Sequence, residues 1–179
     1  MEIASSDFLD AHRGTWIARR APEYPVLNVH VGEVDAPPDS VFALLDSPDL
    51  VAPGWHWRVT FAMRSAAGKL FGWDKGLRWH ARQPLAPGNH YAFFTIDHVA
   101  GPGSVQPPWE VGMSVENRLT RALMSLIVEE ANGGTRLWNV TCAVFHGRLG
   151  RAYWRVVRPF HNLLIEDSLS LIRARARRG

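Results

Sequence analysis

A chain of 179 residues, 46% hydrophobic and 21% charged, has room for one domain with a sizeable core and is cramped for two. Its formal net charge of +3 comes almost wholly from arginine, since Lys69 and Lys75 are the only lysines; this reads as a compositional bias, and no nucleic-acid partner is expected. The lone Cys142 excludes a disulfide framework and a Cys-rich zinc site, while the absence of a long apolar run and of a signal-peptide pattern in Met1 to Arg13 predicts a cytoplasmic protein without a membrane span.

In chain order, Ser6 to Arg20 has helical spacing in Phe8, Ala11, Thr15 and Ile17, weakened at Gly14 and stopped by Pro22 and Pro25. This predicts a helical extension over residues 1–25. Val26 to Val34 alternates as Val-Leu-Asn-Val-His-Val, a period-two strand. Pro37-Pro38-Asp39-Ser40 then starts a short helix through Val41, Phe42, Leu44 and Leu45, and a second runs from His56 to about Phe71. Strands are expected at Leu77 to Gln83, His90 to His98 and Trp109 to Val115, with Ala100 to Pro108 as a mobile loop.

The segment Asn117 to Glu130 suits a helix capped by Asn117 as well as a strand. Asn132-Gly133-Gly134 is a hairpin signal, and the following Thr135 to His146 is a clear strand; a hairpin needs two arms, which favours strand. Residues 26–147 thus form a sheet with two short helices. A long amphipathic helix over residues 148–177 ends the chain, with a kink or break expected before Pro159. Ala152, Val156, Phe160, Leu163, Leu164, Leu169 and Ile172 form its expected buried stripe. Without a repeat or linker, residues 1–179 read as one α+β domain.

The order of strand, two short helices, antiparallel strands and terminal helix resembles the helix-grip arrangement of the START and polyketide-cyclase-like (SRPBCC) superfamily, in a bacterial branch described as a domain of unknown function. The residues that carry the resemblance are Val41-Phe42-Ala43-Leu44-Leu45, the Met63-Arg64 to Gly72 helix end, Glu110-Val111-Gly112, and above all Gly150-Arg151-x-Tyr153 with Pro159-Phe160-His161. It spans Val26 to Ile172 and departs at Glu116-Asn117-Arg118, where an acidic residue and a histidine would be expected. The resemblance implies a curved antiparallel sheet wrapped around the C-terminal helix, with an apolar cavity between them for a small hydrophobic or amphipathic molecule. Some relatives of this fold are enzymes and many only bind, so the fold leaves function open.

The eight histidines show no metal-binding spacing; His90 and His98 can share a strand face, but no third ligand offers itself, so no metal is expected. No glycine-rich phosphate fingerprint opens a helix and no nucleophile elbow occurs, so no nucleotide cofactor is expected either. His161 stands beside the inner stripe of the last helix. It is either a general acid or base for a cyclase, dehydratase or hydrolase on a polyketide-like or aromatic substrate, or a buried side chain that fixes the helix. Arg64 and Arg121 either hold a ligand carboxylate or sit in surface ion pairs. Trp109, Trp138 and Tyr153 suit a pocket wall as well as a core. The tail cluster Arg173, Arg175, Arg177 and Arg178 reads as a solvated helix end, with a module for an anionic surface as the other option.

Overall fold

The computed structural model describes residues 5–46, 62, 65–66, 68, 72–73, 80, 83–103 and 107–177. Two short helices, α1 (Ser5–Ala11) and α2 (Trp16–Arg20), and a 3-10 turn (Ala21–Glu23) lead into β1 (Val26–Val34) and helix α3 (Pro38–Leu45). Strands β2 (His90–Tyr91), β3 (Phe94–Ala100), β4 (Trp109–Glu116), β5 (Thr120–Ala131) and β6 (Gly134–Phe145) follow, and helix α4 (Gly147–Ala176) comes last. All strands join one antiparallel sheet in the order β1-β6-β5-β4-β3-β2. The fold is therefore α+β, an open sheet with a long C-terminal helix on one face.

Asn117 to Glu130 is strand, not helix. Asn117 makes the bonds a helix cap would make, but in a turn between strands: its side-chain oxygen accepts the N–H groups of Leu119 and Thr120, both at 2.9 Å, and closes the tight β4–β5 turn. At the other end of β5, Asn132 and Gly133 both take positive φ, 44° and 82°, as the two-residue hairpin turn requires. That turn fixes the register over the whole β5–β6 pair, from Ala131 opposite Gly134 to Thr120 opposite Phe145.

The sheet is covered on both faces. On the inner face, Ile165, Leu169 and Ile172 of α4 and Val41 and Leu45 of α3 pack against Val34, Ile96, Trp109, Val111, Met113, Leu126, Val128 and Leu137. On the outer face the N-terminal extension supplies Phe8, Trp16, Ile17, Ala18, Ala21 and Tyr24, packed on Val29, Val31, Leu123, Ile127, Trp138, Val140 and Cys142. Strand parity separates the two sets, because alternate residues project to opposite faces.

Several expectations need correction. The extension is two helices instead of one: the Thr15 hydroxyl donates to the carbonyl of His12 and accepts the N–H of Ala18, so it ends one turn and caps the next. The expected strand over His90 to His98 is two strands joined at Ala92 and Phe93, with Ala92 at φ 57°, a turn that its residue types do not announce. Of the kink or break expected before Pro159, the break does not occur: α4 is continuous through Pro159, which lies on the solvent side, where water can satisfy the freed carbonyl. The largest correction concerns its stripe. Leu169 and Ile172 are buried as expected, but Ala152, Val156, Phe160 and Leu163 are exposed, and Gly150 and Ile165 are buried instead.

The expected helix from His56 to Phe71, the strand from Leu77 to Gln83 and Arg64 lie largely or wholly outside the described residues, as do residues 104–106 of the expected loop. Among the described residues no helix is long and apolar enough to cross a membrane.

Candidate functional site

The inner face of the sheet is divided by chemistry. Reading across the strands, one transverse row is Asn28, Thr141, Met124, Met113 and Ile96; the next is His30, Asn139, Leu126, Val111 and Val99. In each row the β1 and β6 positions are polar and the β5, β4 and β3 positions apolar. Asn28, His30, Asn139 and Thr141 are all buried, at 4%, 2%, 5% and 6% exposure, so this polar patch belongs to the interior.

Helix α4 roofs that patch with its own polar residues. Asn28 Nδ2 donates to Asn162 Oδ1 at 2.7 Å, which ties β1 to the helix. About two turns earlier along α4, the Trp154 ring stacks on Phe145 at 4.9 Å and meets the edge of His161 at 5.5 Å. Asn28 Oδ1, Asn139 Oδ1, Thr141 Oγ1 and His161 Nδ1 are shielded from solvent and have no protein partner. A buried polar atom left unpaired costs about 1–3 kcal/mol, so four in one place is a costly arrangement for a purely structural core.

Electrostatics fixes the state of the His161 imidazole. Burial, reinforced by the nearness of His30 and partly opposed by a hydrogen bond with Asn162, pulls the His161 pKa down to about 4. At neutral pH the ring is uncharged, one nitrogen donating and the other accepting. It can orient a neutral polar group but is a weak base.

The residues expected to share one site are divided between the two faces. Trp109 is on the inner face, edge-on to Phe42 at 5.8 Å, in the row beyond the polar patch. Tyr153 is half-buried against Trp73 at 6.1 Å. His161 lies beside the patch, near His30 and hydrogen-bonded to Asn162. Trp138 and Arg121, in contrast, face outward: Trp138 packs under Phe8 and His12, and the Arg121 guanidinium lies 5.6 Å from the centre of the Tyr24 ring. Arg121 and His161 are therefore on opposite faces. Nor do His90 and His98 share a face usefully; His98 stacks on Trp16 on the outer side, and His90 lies against His80.

The outer face has a pocket of its own, about 420 Å³, lined by Trp16, Arg20, Tyr24, Asp97, Glu116 and Arg121 among others. It mixes charges of both signs. Among the described residues no three His, Cys, Asp or Glu side chains gather as a metal ion would require.

Asn28, His30, Asn139, Thr141 and Asn162 were not singled out by sequence reasoning. Their signal was present as Asn28-x-His30 and Asn139-x-Thr141, polar residues in one phase of strands whose other phase is apolar. Alternation shows that a strand has two faces, not which one a helix will cover.

Several solved structures are similar to this chain. Protein Ms6760 from Mycobacterium smegmatis is 13% identical, with a TM-score of 0.50 over 83% of this chain and 88% of that one. A conserved protein from Geobacillus kaustophilus is 13% identical, with a TM-score of 0.48 over 86% and 96% of the two chains. Ara h 8.0201 is 11% identical, with a TM-score of 0.43 over 83% and 98%. Likeness at this level of identity speaks to the fold alone. No curated protein matches the chain. The model of the family described as protein of unknown function DUF2867 matches residues 21–168, and the chain belongs to that family.

Proposed function

We propose that this protein binds a small amphipathic molecule between the inner face of the sheet and α4, as a member of the START and polyketide-cyclase-like superfamily would. The observation that carries this reading is the set of unpartnered buried polar atoms on Asn28, Asn139, Thr141 and His161, beside an apolar wall of Met113, Met124 and Leu126. A ligand with one hydrogen-bonding end and an apolar body matches both halves. Its polar end is neutral, since His161 carries no charge at neutral pH and no arginine on the described inner strands faces the patch. Binding without catalysis is the favoured reading: of the two arginines that the acid–base alternative calls on, Arg121 is on the other face from His161, and Arg64 lies outside the described residues. A buried, unreactive Cys142 suits the reducing cytoplasm, where we place the protein.

The test is native mass spectrometry of the purified protein, followed by denaturing extraction to identify any small molecule that co-purifies. A titration with an environment-sensitive apolar dye gives the second readout. Saturable dye binding that Thr141→Phe abolishes and Arg121→Glu leaves intact supports the reading. Binding that survives Thr141→Phe and is lost in Arg121→Glu would move the site to the outer pocket and overturn it.

A further inference from the structure

The first half of α4 leaves four large apolar side chains in solvent. Leu149, Val156, Phe160 and Leu163 are 68%, 67%, 54% and 59% exposed. Their spacing, steps of seven, four and three residues, sets them in one stripe along the helix. Ala152 and Pro159, both exposed, fill the gaps in it. Beside it runs a second stripe, Arg148, Arg151, Arg155 and Arg158, spaced by three, four and three residues and exposed throughout. No acidic residue occurs in the sequence between Glu130 and Glu166.

This charge pattern works against the helix itself. The N-terminal end of a helix carries partial positive charge and favours acidic residues, yet the first turn of α4 has none and no side chain caps it. Four arginines there add to the positive field. An apolar stripe flanked by a ridge of arginine is the surface of a helix that lies in a lipid–water interface, with the stripe entering the acyl boundary and the guanidinium groups beside phosphates.

We propose that the N-terminal half of α4 docks the protein on the surface of an anionic phospholipid bilayer. Charge complementarity selects that occupant. A nucleic acid would take the arginines but leave the apolar stripe in water. A second copy of the chain, paired about a two-fold axis, would bring two like-charged arginine ridges together. The inference rests on the outer side of α4 and stands apart from the ligand reading, which concerns its inner side.

Co-flotation with vesicles tests it, using phosphatidylcholine alone and phosphatidylcholine mixed with phosphatidylglycerol. The full chain is expected to float with the anionic vesicles and not the neutral ones, and to be released by added salt. Two double variants, Phe160→Asp with Leu163→Asp and Arg151→Glu with Arg155→Glu, alter only exposed positions, and circular dichroism checks that both remain folded. Each is expected to weaken vesicle binding by about tenfold or more. Equal affinity for neutral and anionic vesicles, no binding to either, or unchanged binding by folded variants would overturn the proposal. So would a concentration-dependent dimer that Phe160→Asp with Leu163→Asp dissolves in the absence of any vesicle binding.

Discussion

The carboxylate of Glu110, on β4, accepts the backbone N–H of Trp16 at 2.5 Å and so fastens the N-terminal extension to the outer face of the sheet. Its other oxygen accepts the N–H of Ile17 at 3.0 Å and the hydroxyl of Ser125 at 2.6 Å. Helix α2 is only five residues long and cannot hold itself; a buried anion at its start satisfies two N–H groups that would otherwise be orphaned. Glu110→Gln presents an amide N–H where an acceptor is needed, and is expected to cost about 2–4 kcal/mol in a urea unfolding titration. Loss of less than about 0.5 kcal/mol would mean that the clasp is incidental.

Gly112 completes the same docking site by what it lacks. A Cβ at this position would lie 2.5 Å from Cε3 of the Trp16 ring, inside van der Waals contact. Gly112→Ala is therefore expected to displace Trp16 and to destabilise the protein by about 1–3 kcal/mol. Limited proteolysis should show faster cleavage between Ala11 and Trp16 in this variant, because the connection between α1 and α2 depends on the seated ring.

Much of the fold was legible because its signals are local. Asn132-Gly133 specifies a turn and Val26 to Val34 an alternation, so the strands on either side could be placed from neighbouring residues alone. The faces were not legible in the same way. Phe160 and Leu163 fit an apolar helical period as well as Leu169 and Ile172 do, and only the direction from which the sheet approaches decides which set is buried. Likewise, Trp138 and Trp109 are both strand tryptophans, but two covers on opposite faces send one under Phe8 and the other toward Phe42. The site residues Asn28, His30, Asn139 and Thr141 come together through β1–β6 pairing between segments more than a hundred residues apart, which no local pattern reports.

Acid should weaken the fold through His161. Its folded pKa of about 4 lies below the ordinary value of 6.5, so between these values the unfolded chain binds more protons than the folded one. Stability is then full above pH 6.5 and falls as pH drops toward 4, by up to about 3 kcal/mol from this group. Glu129 adds to the loss at the acid end: burial raises its pKa, but the hydrogen bond with His12 and the charges of His12 and Arg136 more than offset this and hold it below the usual carboxylate range. Melting temperatures measured from pH 4 to 7 should show His161→Gln with a flatter profile than the native protein. Parallel profiles would remove His161 as the source.

Burial drives the Cys142 thiol pKa up to about 12, and the side chain lies fully inside the outer core. Thiolate is the reactive form, so the native protein should resist a thiol reagent at pH 8 and react with it rapidly in denaturant. Reaction of the native protein at the denatured rate would show that the N-terminal cover opens readily.

The polar patch should trade stability for binding. Asn139 has a buried amide oxygen without a protein partner, in a row that continues into Leu126 and Val111. Asn139→Leu removes that unpaired group and extends the apolar wall at similar volume, so it is expected to leave stability unchanged or raise it by about 1 kcal/mol. A residue kept only for packing would show the opposite sign. If the amide is there to meet a ligand, the same variant should lose the molecule that co-purifies with the native protein, and its melting curve should no longer respond to added dye. A variant that unfolds more easily while still retaining that molecule would identify Asn139 as a structural residue and shift the binding role to Asn28, Thr141 and His161.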